Sequence, residues 1–329
     1  TNRTDLFSYL ETELQEVQAE MKAPRANEYA RADQAAAWML LAKLYLNAQV
    51  YIGQDRYTEA LVETQKVIDA GFTLETTYQG LFLADNHTSP EIIFPIAFDG
   101  QRTKTWGGMT FLVHAPVGGS MNPAEFGING GWGGMRATSA LVNKFDDITG
   151  ATDSRAMFYT DGQNLEIEDI FTFTDGYAVT KYKNVDSEGN AGSDSEGNFP
   201  DTDFPMFRLA DAYLMYAEAV LRGASGGSEA AAIGYINELR ERAYGDDTGN
   251  VSSIDLPFII DERARELQWE CHRRTDLIRF GLFTGGEYLW PWKGGVPEGT
   301  SVPDFRDLFP IPSADLIANP NLEQNPGDY

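Results

Sequence analysis

Three glutamates, Glu262, Glu266 and Glu270, recur at four-residue intervals in a helical pattern near the C-terminus. Residues four apart lie on one face of a helix, so their carboxylates could form an acid–base pair or hold a cation. The arginines interleaved with them are Arg263, Arg265, Arg273 and Arg274. This mixture favours a buried or half-buried ion-pair network that fixes the helix to its neighbours.

Other catalytic and metal-binding patterns are missing from the sequence. The histidines His87, His114 and His272 lie far apart, and none has zinc-site spacing. The single cysteine, Cys271, excludes an internal disulfide, and its apolar helical context predicts a buried structural thiol. No nucleophile-elbow or triad arrangement stands out. We therefore predict a protein that is not an enzyme and has no cofactor.

Two glycine-rich segments carry tryptophans: Trp106 is followed by two glycines, and Trp132 has a pair of glycines on each side. Neither is a phosphate loop, since no Lys-Ser/Thr follows. The glycines either permit tight turns that bury the indoles or hold the indoles at the surface as flat platforms. The apolar face of a sugar ring stacks on such a platform, and polar neighbours can bind its hydroxyls.

Under the second interpretation, the segment 99–136 is the ligand region and Trp132 is its centre. The predicted ligand-binding residues are Trp132, Trp106, Phe126, Asn129, Asn122 and Arg102.

An acidic stretch, residues 184–203, repeats the string Ser-Glu-Gly-Asn. A calcium loop of the EF-hand type fails here because, with Asp186 as the first position, the sixth is Ala191 rather than glycine. We predict a solvated acidic loop, with a casual Ca²⁺ site as the alternative.

The composition sets limits on the partners. The formal net charge is −25, from 50 acidic and 25 basic side chains among 329 residues. Such a surface repels phosphate backbones and anionic headgroups, so we predict no nucleic acid partner. No apolar run approaches the ~18 residues of a membrane span. No signal peptide is visible, so we expect a fragment whose first part is absent.

Helical periodicity dominates both ends of the chain. Predicted helices span residues 4–22, 33–50, 55–70, 206–222, 228–243 and 257–280. Pairs with small residues facing aromatics resemble tetratricopeptide units. The predicted fold is mainly α, with tetratricopeptide-like helix pairs supporting a loop-rich irregular region with short strands.

One domain is predicted to span residues 1–329. It has helical repeats at 1–71 and 206–281, a loop-rich glycan-binding insertion at 72–205 and an irregular tail at 282–329. Within the insertion we predict a strand at 92–98, a short helix at 138–145, and a hairpin at 168–183 that turns at Asp175-Gly176.

Three segments resemble signatures of the SusD/RagB family of bacterial outer-membrane nutrient-binding lipoproteins. They are Arg208–Ala219, Glu262–Gly281 and the C-terminal strings Leu308–Pro312, Asn319–Leu322 and Gln324–Gly327. The resemblance covers the whole chain, although the family's lipidated cysteine and further N-terminal repeats are not in it.

The resemblance implies a non-catalytic protein that captures oligosaccharides at the cell surface. It implies an extracellular, lipid-anchored position on the outer membrane, through an N-terminal segment absent here. It also implies a SusC-like TonB-dependent outer-membrane transporter as partner. The acidic charge favours a neutral oligosaccharide or polysaccharide, such as a starch-like or laminarin-like glucan.

Two other functions stay open at this point. A helical-repeat adaptor would bind a protein or peptide on its repeat helices rather than on loop-borne tryptophans. A glycoside hydrolase would need two carboxylates across a cleft, which the sequence neither indicates nor excludes.

Overall fold

The computed structural model describes residues 2–329 and is mainly helical, as predicted. The helices are α1 Arg3–Val17, α2 Gln34–Leu46, α3 Ala48–Ile52, α4 Tyr57–Ile68, α5 Met109–His114, α6 Ser139–Val142, α7 Leu209–Leu221, α8 Glu229–Tyr244, α9 Leu256–Glu266, α10 Arg273–Arg279 and α11 Ser313–Ala318. The strands are β1 Ile92–Ile96, β2 Phe158–Tyr159, β3 Ala178–Val179 and β4 Phe204–Arg208. The chain divides into two compact units, Thr1–Cys271 and His272–Tyr329, and the single-domain assignment stays a prediction.

Side-chain caps start several of the helices. Asp33 accepts the backbone N–H groups of the first turn of α2, and Ser228 does the same for α8. Helix α1 starts one residue earlier than predicted, because Asn2 and Asp5 form a reciprocal capping box in place of a Thr4 cap. The predicted helix at 33–50 divides at Asn47 into α2 and α3.

The helices on the two sides of the insertion form one layer. Helix α4 lies between α2 and α7, and α7 packs in turn on α8 and α9. Small residues at the contacts, among them Ala42, Ala60 and Ala217, are fully buried and allow the backbones to approach closely. The insertion therefore leaves and rejoins a single helical core.

Strand pairing brings the two ends of the insertion together. Strand β1 pairs antiparallel with β4, so the start and the end of the insertion lie side by side. The predicted hairpin at 168–183 is wrong, since β3 pairs with β2 instead. The turn at Gly176 exists, but the Asp175 carboxylate accepts the N–H groups of Glu168 and Asp169 and holds that stretch as a closed loop.

The predicted ion-pair network is confirmed, and it lies in the core. Arg208 donates to the carboxylates of Glu91, Glu266 and Glu270 at 2.7–2.8 Å. Arg155 donates to Asp153 and, at 2.7 Å, to Glu262. These pairs join the insertion to the segment that carries α9, so they fix the loop-rich region on the helical layer.

The electrostatics of Glu262 agree with this structural role. Burial alone would raise the pKa of Glu262, but Arg155, Arg265 and Arg240 outweigh it and lower the pKa to about 2. The carboxylate is therefore ionised at any ordinary pH and is held by guanidinium groups, which is unsuited to proton transfer.

The predicted helix at 257–280 is broken between α9 and α10. The side chains of Tyr78 and Arg208 donate to the carbonyl oxygen of Glu266, at 2.5 and 2.7 Å. In a continuing helix, this oxygen would instead accept the backbone N–H four residues later. Trp269 and Cys271 adopt positive φ angles of 61° and 65°. The break also corrects the expectation for Cys271, whose side chain is exposed rather than buried.

The second unit has little regular structure, as predicted for the tail. Its anchor is Lys293, a buried ammonium group that donates to the carbonyl oxygens of Thr284, Gly285 and Tyr288 at 2.8–3.3 Å. The same group lies 4.6 Å from the ring centre of Trp290. This lysine cross-links the loop that contains the Trp-Pro-Trp string at residues 290–292.

Across residues 2–329, no helix has the length and apolar character that crossing a membrane requires.

Candidate functional site

Trp132 lies at the surface on a backbone that is hydrogen-bonded on both sides of Gly131 and closely packed there. Its indole is 45% exposed. The Trp132 N–H donates to the carbonyl of His114 at 2.9 Å, and Gly133 donates to Val117 at the same distance. A side chain at Gly131 would put its Cβ 2.0 Å from the Val117 oxygen, so only glycine fits there. The glycines thus permit close backbone pairing while the indole faces outward.

A layer of aromatic rings supports this indole. The His114 imidazole is stacked against it, with ring centres 5.1 Å apart and planes at 21°. The ring of Phe111, itself partly exposed, lies at 6.2 Å. One face of Trp132 therefore rests on a rigid support, as a stacking platform for a flat ligand requires.

Trp106 forms a second exposed ring in the same region. Its indole is 62% exposed and packs against Phe199, with ring centres 4.8 Å apart. The ammonium group of Lys104 lies 4.9 Å from the centre of the same phenylalanine ring. The acidic loop at 184–203 thereby supplies the support for Trp106.

Two of the three polar candidates make hydrogen bonds that hold their own loops. Asn129 donates both amide hydrogens, to the Glu196 carbonyl at 2.7 Å and to the Asn198 side chain at 2.8 Å. Asn122 is exposed, and its oxygen caps the short helix Pro123–Phe126. The side chain of Arg102 is exposed on the loop before Trp106. Direct ligand contact by these three residues stays a prediction.

Phe126 requires a correction. Its ring is only 4% exposed and belongs to the core that contains Met121 and Ile128. Lys183 lies 5.1 Å from the ring centre. The aromatic-rich context of the insertion suggested a platform, but this ring contributes to packing instead and cannot present a face to a ligand.

The acidic loop uses its carboxylates to hold its own backbone. Asp194 accepts the N–H groups of Asn198 and Phe199, and Asp201 accepts those of Gly100 and Ser193. Within the part of the chain that the structure describes, no group of three His, Cys, Asp or Glu residues is arranged to hold a metal. Casual calcium binding by this loop stays a prediction.

Sequence reasoning missed the residues that support the platform. His114 attracted notice only because it lacks metal-site spacing, and Phe199 lies in a loop selected for its charge. Phe171 was also missed, although its ring is 91% exposed. The carbonyl oxygens on both sides of it, those of Ile170 and Thr172, accept from Arg136 at 3.0 Å. No local pattern identifies such residues, because their partners are distant in the sequence.

The combined arrangement has clear chemical capabilities. Two partly exposed indoles pack on other aromatic rings, and the side chains of Asn122, Asn129 and Arg102 lie in the same insertion. The carboxylates that could have formed a catalytic set, Glu262, Glu266 and Glu270, are buried in arginine and lysine contacts. The surface is suited to stacking on a flat, neutral ligand.

Comparisons with known proteins identify relatives of this chain. Residues 166–327 match the SusD family. The starch-binding protein SusD of Bacteroides thetaiotaomicron is 39% identical over 98% of this chain, and the chain spans 65% of that relative's length. A SusD-like protein of Bacteroides ovatus is 25% identical over 91% of the chain and 62% of its own length.

Solved structures show the same fold. The surface glycan-binding protein A of Bacteroides thetaiotaomicron, in complex with laminarihexaose, superposes with a TM-score of 0.74 at 24% identity. The match covers 97% of this chain and 70% of that one. Residues 166–327 therefore belong to the SusD family, and a 39% identical relative aligns with nearly all of the chain.

Proposed function

We propose that this protein captures neutral glucan oligosaccharides at the cell surface and does not cleave them. The observation that carries the proposal is the rigidly supported, outward-facing indole of Trp132, with Trp106 beside the acidic loop as a second ring. Stacking of sugar C–H faces on exposed indoles binds neutral glycans without any charged contact.

Two further features support a neutral glucan. The net charge of −25 disfavours an anionic polymer. The 39% identical relative is named a starch-binding protein, and the glycan-binding structural neighbour holds laminarihexaose. Both of those ligands are glucose polymers, so a glucan is the first substrate class to test.

Family membership supports the remaining parts of the proposal. The protein would be lipid-anchored at the extracellular face of the outer membrane and would deliver its ligand to a SusC-like TonB-dependent transporter. A purely helical adaptor fits less well, because the described repeat helices pack mainly on one another and the exposed aromatic platform lies in the insertion.

Calorimetry on the purified chain tests the proposal. We expect laminarihexaose or maltohexaose to bind with a dissociation constant of roughly micromolar to millimolar, or about −4 to −8 kcal/mol. An anionic oligogalacturonide should not bind. The bound glucan should release no reducing ends on long incubation, because the buried glutamates already have basic partners.

Two results would contradict the proposal. One is the absence of glucan binding at millimolar concentrations in a protein that is folded by circular dichroism. The other is sustained hydrolysis of either glucan that a single carboxylate substitution abolishes.

A further inference from the structure

Phe171 has the most exposed large apolar side chain of residues 2–329, with its ring 91% exposed. Its neighbour Ile170 is 47% exposed. The two residues occupy the centre of a turn, which the Thr172 N–H closes by donating to the carbonyl oxygen of Asp169 at 3.0 Å. The turn thus presents two apolar side chains to solvent at the tip of residues 164–175, here called the Phe171 loop.

Hydrogen bonds on both sides of the ring fix the backbone of the Phe171 loop. The Asp169 carboxylate accepts the Phe171 N–H at 2.9 Å and the Thr172 hydroxyl at 3.2 Å. The Arg136 guanidinium donates to the carbonyl oxygens of Ile170 and Thr172, each at 3.0 Å. A ring on a fixed backbone loses little conformational entropy when a ligand stacks on it.

Arg136 also joins this loop to the segment that carries Trp132, residues 130–135. Besides the carbonyl oxygen of Ile170, the guanidinium donates to that of Gly134 at 2.5 Å. Gly134 follows Trp132 by two residues. The two main-chain oxygens therefore bind nitrogens of one planar group and lie within its short span. The turn that carries Phe171 and the backbone that carries Trp132 are thus neighbours, although they are distant in the sequence.

Direct packing forms a second link between the same two segments. The ring of Phe173, in the Phe171 loop, packs against the core that contains Val117. A Cβ added at Gly118 would lie 2.8 Å from both that ring and the Gly133 Cα, so the close fit at this contact requires glycine. The Gly133 N–H donates to the carbonyl oxygen of Val117 at 2.9 Å. The Phe171 loop is therefore held beside the Trp132 platform by packing as well as by hydrogen bonds.

The size and charge of this surface favour a sugar over a protein partner. A stable protein interface buries about 800 Å² on each partner, whereas the turn offers a single ring with one adjacent aliphatic side chain. A planar ring of this size matches the C–H face of one sugar residue. The exposed acidic residues Glu168 and Asp169 lie next to it in the chain and disfavour an anionic ligand. A neutral glycan is therefore the occupant that this surface fits best.

We propose that Phe171, with Ile170, forms a second glucan subsite beside the Trp132 platform, which sugar chains occupy only when they extend beyond the Trp132 indole. This subsite deepens the proposed function and rests on it. A trisaccharide then binds at Trp132 alone, and a hexasaccharide contacts both rings. Because the second contact stabilises only the longer chain, affinity for laminarin oligosaccharides should rise with chain length.

Calorimetry with laminaritriose and laminarihexaose tests this subsite. We expect the wild type to bind the hexaose about tenfold more tightly than the triose. Phe171→Ala removes the ring and should weaken hexaose binding about tenfold, while it changes triose binding less than about twofold. Trp132→Ala, in contrast, should weaken binding of both sugars, because each of them stacks on that indole.

Two further substitutions of Phe171 separate stacking from other effects. Phe171→Tyr retains a flat ring and should bind laminarihexaose as the wild type does. Phe171→Leu retains apolar area without a planar face and should stay close to Phe171→Ala. Each variant should fold because the ring is 91% exposed, and circular dichroism checks this. Tyr9→Ala, at an exposed aromatic residue of α1, should leave the affinity for both sugars unchanged.

The outcomes distinguish the subsite from the proposed function. If Trp132→Ala weakens laminarihexaose binding but Phe171→Ala does not, the subsite is wrong and the proposed function stands. Equal weakening of both sugars by Phe171→Ala also overturns the subsite, since the ring then acts on the platform as a whole. If neither laminarihexaose nor maltohexaose binds the folded wild type at millimolar concentrations, the proposed function fails and the subsite fails with it.

Discussion

Replacement of Arg208 by methionine is expected to lower the free energy of unfolding by about 3–5 kcal/mol, the range for breaking a buried ion pair from one side. The Arg208 guanidinium is buried, and it donates five hydrogen bonds of 2.7–2.8 Å. Methionine fills similar volume but leaves three buried carboxylates short of a donor. The loss is large because these carboxylates cannot regain water.

Chemical denaturation measures this loss, and two variants control it. Arg31→Met removes an arginine that pairs with Glu28 on the surface, where both side chains are at least 70% exposed, and should change stability little. In a double-mutant cycle, Glu270→Gln should show strong coupling with Arg208→Met, because Arg208 donates two hydrogen bonds to that carboxylate. A loss of unfolding free energy below about 1 kcal/mol for Arg208→Met would contradict the prediction.

Acid titration gives a second check on the same network. Burial would raise the pKa of Glu266, but Arg242, Arg208 and Arg155 outweigh burial and lower it. A lowered folded-state pKa stabilises the protein fully above the ordinary value of 4.5 and loses that effect as the pH falls below it. The stability difference between wild type and Arg208→Met should therefore shrink below pH 4.5.

The helical layer and the nature of the charged helix were predictable from the sequence. Small and aromatic residues at helical spacing predicted α2, α4, α7 and α8 to within a few residues. Glutamates at four-residue spacing among arginines predicted a network. The partners within this network were not predictable, because several of its ion pairs join residues that are separated by 58 to 117 positions in the chain. The distant partners are Glu91, Arg155, Lys181 and Arg208.

Similar long-range contacts explain why the predicted helix at 257–280 has the wrong end. The pattern from 257 to 280 is helical throughout. However, side chains of the insertion and of Arg208 at the end of β4 donate to the carbonyl oxygens of residues 266 and 268, and the helix ends there. Local propensity cannot anticipate a competitor that comes from another part of the chain. The glycines around Trp132 likewise predicted an unusual backbone conformation there. The buried His114 beneath the indole was not predictable, because only tertiary packing brings the two rings together.

Replacement of Trp132 by alanine is expected to weaken laminarihexaose binding by about 2 kcal/mol or more, the size of a binding hot spot. This corresponds to roughly a thirtyfold increase in the dissociation constant. The indole is held from behind by His114 and Phe111, so little conformational entropy opposes stacking on its outer face. Alanine removes this area and leaves no other ring in its place.

The variant should stay folded, which makes the binding result interpretable. Trp132 is 45% exposed, and its main-chain hydrogen bond to His114 does not depend on the side chain. Circular dichroism and the thermal midpoint should therefore stay close to wild type. Tyr9→Ala, at an exposed aromatic residue of α1, is the matched control and should bind as the wild type does.

The Trp106→Ala variant shows which of the two indoles contributes more to laminarihexaose affinity. Trp106 is more exposed and rests on a single phenylalanine of the acidic loop, whereas Trp132 rests on a ring that is itself hydrogen-bonded at both ends. We therefore expect the smaller loss of affinity for Trp106→Ala, because a less firmly supported ring loses more freedom when a sugar stacks on it. If both variants fold and bind laminarihexaose normally, the platform is not the glycan site. If only Trp106→Ala weakens binding, the site centres on the acidic loop instead.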